Sequence, residues 1–124
     1  MRNFDVSLFK SLPMGEGGLV GPGGTYCALG AAARAMGMKE EQVKNIDELG
    51  FPYNKEFREF LCLTMDEMKA IYRMNDFGTT IVPLKIMVSD PEGARILLIK
   101  TLKNKKDVSF VNFPQEVEDE EEAI

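Results

Sequence analysis

The chain has 124 residues, of which 44% are hydrophobic and 28% are charged, the composition of one ordinary globular domain. Its net charge of −5 argues against direct binding to nucleic acid or to an anionic membrane, because both select an excess of lysine and arginine. The N-terminal residues lack the apolar core of a signal peptide, and no stretch approaches the roughly 18 apolar residues of a membrane span. We therefore expect a cytoplasmic protein, of a bacterium or of an infected host cell, whose oligomeric state the composition leaves open.

Histidine is absent, and the two cysteines, Cys27 and Cys62, are widely spaced. A disulfide framework or a zinc site needs more ligands at closer spacing, so we expect reduced thiols, no metal and no cofactor. A cysteine nucleophile needs an activating base, but histidine is absent, and a carboxylate such as that of Asp76 would raise the pKa of the thiol. The sequence therefore favours a protein that is not an enzyme and has no catalytic residue.

The first 24 residues combine a short apolar segment with a glycine-rich loop. The apolar residues within 4–9 predict a strand or one or two helical turns, and Pro13 ends that segment. Residues 15–24 are mostly glycine, a composition that favours a mobile loop or a close backbone approach over regular structure.

The first long helix is predicted over Tyr26–Met36, with Thr25 as its N-cap and Gly37 in the C′ position. Its many alanines and its one internal glycine allow a neighbouring element to come very close. Residues at helical spacing are expected to face the core, namely Tyr26, Leu29, Ala33 and Met36.

Three more helices follow from caps and apolar periodicity. One runs over Lys39–Leu49 and is closed by Gly50, another begins after Asn54, and Thr64 with Glu67 forms a capping box that begins the third. The apolar stripe of the first of these is Val43, Ile46 and Leu49, and that of the last is Met65, Met68, Ile71, Tyr72 and Met74. A Met-rich stripe of this kind fills a core by default, or forms an adaptable partner surface if exposed.

The segment Thr79–Ser89 has the composition of a strand, but Pro83 excludes a central strand. We therefore expect a helix or irregular chain here in preference to a strand. Asp90 and Pro91 then form a good helix start, as N-cap and first helical residue. That last helix is predicted to run to about Leu102.

The C-terminal residues divide into a short apolar stretch and an acidic tail. Val108–Val111 predicts a short strand or an extended strap, and residues 116–122 hold six carboxylates in seven positions. We expect residues 115–124 to be a disordered acidic tail and residues 1–114 to be a single, mainly α domain of about five helices, which allows a minor β element.

Two short motifs, Tyr26-Cys27-Ala28-Leu29-Gly30-Ala31-Ala32 and Ile71-Tyr72-Arg73-Met74-Asn75-Asp76, occur in this order. Together they resemble an uncharacterised family of small helical bacterial and phage proteins with C-A-L-G-A and N-D motifs. The resemblance covers residues 25–102. This chain has Ala32 where a larger apolar residue is usual, and about ten extra residues before its last helix. The resemblance implies a mostly α domain, a phage origin, and hydrogen bonds from Asn75 and Asp76 to the loop before Cys27.

One candidate ligand site combines the glycine-rich loop with these two motifs. Backbone N–H groups at a helix start can hold a small anion, although no P-loop lysine follows here. The candidate residues are Gly23, Gly24, Thr25, Tyr26, Cys27, Asn75 and Asp76. The structural alternative is a tight helix entry in which Cys27 packs as a small apolar residue. We therefore expect an interaction protein with a protein partner, and a small-molecule or nucleotide binder using Gly21–Cys27 as the alternative.

Overall fold

The computed structural model describes residues 1–51, 54–81 and 86–114, and helices account for more than half of them. The α-helices of the described residues are α1 (Val6–Ser11), α2 (Ala28–Ala35), α3 (Glu40–Leu49), α4 (Lys55–Phe60), α5 (Met65–Asp76) and α6 (Pro91–Lys103). The mainly α prediction is confirmed, with one helix more than expected because the first apolar segment supplies both a strand and α1. None of the described helices is long and apolar enough to cross a membrane.

Short strands form three separate pairs: β1 (Arg2–Asp5) with β6 (Val108–Val111), β2 (Val20–Gly21) with β3 (Thr25–Tyr26), and β4 (Thr79–Ile81) with β5 (Ile86–Val88). The β1–β6 pair is parallel and places Phe4 opposite Phe110, with ring centroids 5.2 Å apart. The other two pairs are antiparallel hairpins. The predicted strand at residues 108–111 is confirmed, and it joins the two ends of the domain.

Most helix boundaries follow the local capping signals. Asn54 caps α4, Thr64 and Glu67 form the expected capping box of α5, and the Asp90 carboxylate accepts from the third residue of α6. Gly50 ends α3 with a φ of +90°, which glycine adopts without steric cost. These signals act within one helical turn, so they need no tertiary contact to be effective.

Helix α2 is the centre of the core and contacts α1, α3, α5 and α6. Every residue from Ala28 to Ala33 is buried, so neighbours surround the helix on all sides instead of on one stripe. A Cβ at Gly30 would collide with the carbonyl of Leu19, which is the close backbone approach predicted from the small residues. The expected core residues Tyr26, Leu29, Ala33 and Met36 are all buried.

The predicted entry into α2 is wrong in two respects. The helix begins at Ala28 with Cys27 as its N-cap, whereas Thr25 and Tyr26 belong to β3. The preceding glycine-rich stretch is also more regular than expected: β2 and β3 form a tight hairpin around a 3-10 turn at Pro22–Gly24. The Thr25 hydroxyl donates to the Pro22 carbonyl at 3.0 Å and closes that turn.

The preference for helix or irregular chain over Thr79–Ser89 is also wrong, because β4 and β5 form an antiparallel hairpin there. Their β-branched residues favour strands. Gly78 leads into the hairpin with a φ of +62°, and a Cβ there would collide with the Val88 carbonyl. Pro83 lies outside the described residues, as does the tail predicted over residues 115–124.

One residue of a predicted apolar stripe turns out to face solvent: Leu49 of α3 is 79% exposed. In α6, Ile96 is 51% exposed. The buried stripe of α6 consists of Ala94, Arg95, Leu98 and Leu102.

Candidate functional site

Asn75, at the end of α5, joins three parts of the chain and is completely buried. Its Oδ1 accepts from the Ala28 N–H at the start of α2 at 2.9 Å. Its Nδ2 donates to the Gly15 carbonyl at 2.8 Å and to Asp76 Oδ1 at 3.1 Å. The amide therefore ties the glycine-rich segment to α2, as the motif resemblance implies.

Two carboxylates hold the same glycine-rich segment from different helices. Asp76 Oδ1 accepts from the Gly17 N–H at 3.0 Å, and Asp47 Oδ1 on α3 accepts from the Leu19 N–H at 3.0 Å. We refer to Asn75, Asp76 and Asp47 together as the clasp. The clasp fixes residues 15–19 against the start of α2, so its first role is structural.

Cys27 sits beneath this segment and is 2% exposed. Its sulfur accepts a hydrogen bond from the backbone N–H of Gly30 at 3.5 Å. Burial, reinforced by the negative charges of Asp76 and Asp47, nevertheless raises the pKa of Cys27 to about 12. The thiol is therefore protonated at neutral pH and acts as an apolar N-cap.

Asn75 and Cys27 occupy donors that an anion would use at the start of α2. The Ala28 N–H donates to Asn75, that of Gly30 donates to Cys27 Sγ, and that of Ala31 donates to the Cys27 carbonyl. Helix N-termini bind anions through free N–H groups. Most N–H groups in the first turn of α2 are therefore already engaged.

The structure separates the candidate ligand residues into two groups. Tyr26 and Cys27 are buried near Asn75 and Asp76, whereas Gly23 and Gly24 lie exposed at the tip of the β2–β3 hairpin. The hydrogen bonds of Asn75 and Asp76 go to residues 15, 17 and 28 and not to the hairpin tip. Thr25, in β3, lies between the two groups along the chain, so the structure brings Cys27 together with Asn75 and Asp76 and places Gly23 and Gly24 apart from them.

Arg95 is the buried polar residue that the sequence analysis missed, and it is 5% exposed. Its Nη1 donates to the carbonyls of Phe9 and Leu12 at 2.9 and 2.8 Å, and its Nη2 donates to those of Pro13 and Tyr26 at 3.2 and 3.1 Å. Four carbonyls thus accept from the two Nη groups, the buried Nε has no hydrogen-bond partner among the described residues, and no carboxylate of those residues forms a salt bridge with the guanidinium. Burial lowers the pKa of Arg95, but an arginine stays charged at neutral pH.

A groove of about 460 Å³ lies between α1, with the residues that follow it, and α6. We call it the α1–α6 groove, and its lining residues are Phe9, Lys10, Met14, Glu92, Arg95, Ile96, Ile99, Lys100 and Lys103. The apolar side chains of Met14 and Ile96 are 49% and 51% exposed there. Exposed apolar side chains gathered in one concave surface are typical of a binding site.

The charge of this groove is opposite to that of the whole chain. Four cations, from Lys10, Arg95, Lys100 and Lys103, line it together with one carboxylate, from Glu92. The chain as a whole carries a net charge of −5. The groove is therefore a locally positive surface on an acidic protein.

One sequence signal for this surface was available. Arg95 lies at helical spacing with Leu98 and Leu102, on what is otherwise an apolar stripe of α6. An arginine in such a position indicates a buried guanidinium that must find acceptors. By contrast, no local sequence pattern predicts that α1 lies beside α6 and completes the groove.

Comparison of the chain with protein-family models, with curated proteins and with solved structures gives no match. Within residues 1–51, 54–81 and 86–114, no group of three or more Cys, Asp or Glu residues is placed to hold a metal ion.

Proposed function

We propose that this chain is a small, non-enzymatic interaction protein that binds a protein partner through the α1–α6 groove. The observation that supports the proposal most is the pair of half-exposed apolar side chains, Met14 and Ile96, within a concave and positively charged surface. The resemblance to small bacterial and phage proteins supports a phage-encoded protein that acts in the cytoplasm of a bacterial host.

The groove has the rigidity that a binding surface benefits from. Arg95 hydrogen-bonds the carbonyls at the end of α1, so both walls of the groove are fixed to each other before any partner arrives. A preorganised surface spends less free energy on ordering when it binds. This fits recognition of a partner better than it fits a catalytic role, for which the buried thiol of Cys27 is unsuited.

Anion binding at Gly21–Cys27 is the weaker candidate. The Ala28 and Gly30 N–H groups in the first turn of α2 already have acceptors, and Cys27 is buried. No observation favours a nucleotide or phosphate at this place over the structural role of the clasp.

Site-specific photo-crosslinking tests the proposal. A photoreactive phenylalanine analogue at Ile96 reports on the groove, and the same group at Leu49, which is 79% exposed on α3, serves as the control. In a bacterial lysate we expect one discrete protein adduct from position 96 and none from position 49. Equal labelling at both positions, or no adduct at position 96, would contradict the proposal.

A further inference from the structure

We infer that the segment recognised by the α1–α6 groove is an acidic amphipathic helix of the partner, with carboxylates beside its apolar stripe. This inference rests on the proposed function and specifies the chemistry of the ligand. It follows from the arrangement of apolar and basic residues along α6 and from the position of α1 as the opposite wall.

The α6 side of the groove has the spacing of one helix face. Ile96, Ile99, Lys100 and Lys103 stand at positions i, i+3, i+4 and i+7, so they form one stripe that is about 10 Å long at 1.5 Å per residue. The apolar pair comes first along the stripe, and the two lysines follow. A partner helix of two or three turns matches this length, and helices commonly bind in grooves by such anchors.

The charges around the groove select the sign of the partner. Lys100 and Lys103 are exposed at one end, and Lys10 extends the basic edge from α1, whereas Glu92 is the single acidic lining residue. Beneath them the guanidinium of Arg95 adds a buried positive charge that no salt bridge within the described residues neutralises. A basic helix would be repelled here, and a neutral helix would gain no electrostatic attraction to these positive charges.

The apolar residues of the groove explain why the partner needs an apolar stripe as well as charge. Met14 and Ile96 are half-exposed, and Phe9 and Ile99 line the groove between the walls. Free carboxylates alone would leave these side chains in water. Methionine adapts to different shapes, so Met14 suits a partner whose anchor is a leucine or an aromatic residue.

Titration with designed peptides tests the inference on the full-length chain. The probes are fluorescein-labelled helical peptides of about 18 residues, long enough to be partly helical alone. They share one leucine stripe and carry flanking glutamates, glutamines or lysines. By fluorescence anisotropy at low salt, we expect the glutamate peptide to bind at least about tenfold more tightly than the glutamine peptide, and the lysine peptide to bind least.

Charge-reversal variants locate the binding surface. Changing both Lys100→Glu and Lys103→Glu should weaken the glutamate peptide by about tenfold or more, since each lost pair becomes a repulsion. The matched control is Lys39→Glu, an exposed lysine at the start of α3 that does not line the groove. Ile96→Ser should weaken all three peptides, because it removes apolar contact and not charge.

The outcomes separate the inference from the proposed function. Equal affinity for the glutamate and glutamine peptides overturns the inference, whereas the proposed function fails if position 96 gives no crosslink or no more crosslink than position 49. Changing the carboxylates of residues 116–122 to amides should leave the affinity for the glutamate peptide unchanged. A tenfold increase would make the chain's own acidic residues the occupant and would overturn the assignment to a partner.

Discussion

Replacing Asn75 by alanine is the sharpest test of the clasp, because the whole arrangement depends on one buried amide. The substitution removes the acceptor of the Ala28 N–H and the donor to the Gly15 carbonyl. The Ala28 N–H is then buried without a partner, which costs about 1–3 kcal/mol. A lost bond to Gly15 and a small cavity add to this cost.

The expected loss is therefore about 2–4 kcal/mol of unfolding free energy, a large part of the stability of an ordinary domain. For a chain of this size such a loss lowers Tm by about 10 °C. Asn75→Asp keeps the Oδ1 acceptor for the Ala28 N–H but loses the Nδ2 donor. Because it also buries a carboxyl group against the Gly15 carbonyl and Asp76 Oδ1, its stability at pH 7 should be no higher than that of Asn75→Ala.

Urea unfolding and amide hydrogen exchange on the full-length chain measure both the size and the place of the effect. Asn45→Ala, at an exposed position of α3, serves as the control and should change stability by less than about 0.5 kcal/mol. In Asn75→Ala, exchange should rise first at Gly17 and Ala28. If the unfolding free energy falls by no more than in the control, the reasoning about the clasp is refuted.

Three further predictions concern single side chains. Asp76→Ala should lower the unfolding free energy by about 1 kcal/mol, and with it Tm, because the Gly17 N–H loses its acceptor. Unchanged stability together with loss of partner binding would indicate that Asp76 belongs to a surface site instead. In iodoacetamide labelling of the native chain, the partly exposed Cys62 should react first, and Cys27 should stay unmodified up to pH 9. If the labelling rate of Cys27 instead rises with a midpoint below pH 8.5, its thiol is not buried. Burial opposes ionisation of Glu67, but hydrogen bonds, chiefly from Lys105, outweigh it and lower its pKa below 4.5. Glu67→Gln should therefore lower the unfolding free energy by about 1 kcal/mol at pH 7. The unfolding free energies of parent and variant should become equal as the pH falls from 4.5 through the lowered pKa. If their difference is undiminished at pH 3, the ion pair of Glu67 and Lys105 is not its source.

The parts of the fold that were predictable are those with a local physical cause. The capping box of Thr64 and Glu67, the Asp90–Pro91 helix start and the left-handed Gly50 each act within one turn of chain. Such signals survive whatever the rest of the protein does. The entry into α2 was misplaced because Cys27, a rare N-cap, uses its sulfur in place of the hydroxyl expected from Thr25.

The parts that escaped prediction depend on distant contacts. The parallel pairing of β1 with β6 joins residues about a hundred positions apart, and no spacing rule reaches that far. The hydrogen bond from Leu19 to Asp47 is of the same kind, since an aspartate within a helix usually faces water. The two walls of the α1–α6 groove are likewise connected by Arg95, which donates to carbonyls more than 80 residues away in sequence.

The candidate ligand site shows the limits of a motif. The order of the C-A-L-G-A and N-D motifs was enough to predict that Asn75 and Asp76 meet the loop before Cys27, and the hydrogen bonds are present. It did not indicate that Gly23 and Gly24 lie at an exposed hairpin tip instead. From composition, the glycines of residues 15–24 were assigned to one loop. In the structure Gly15 and Gly17 are held by the clasp, whereas Gly23 and Gly24 form the tip of the β2–β3 hairpin.

Hydrogen–deuterium exchange of the full-length chain, with and without the glutamate peptide, tests the central claim most directly. The account predicts protection in α1 and in the stripe from Ile96 to Lys103, with no change at the hairpin tip of Pro22–Gly24. Protection at the hairpin tip together with unchanged exchange in α1 and α6 would contradict it, and would return the binding function to the glycine-rich loop.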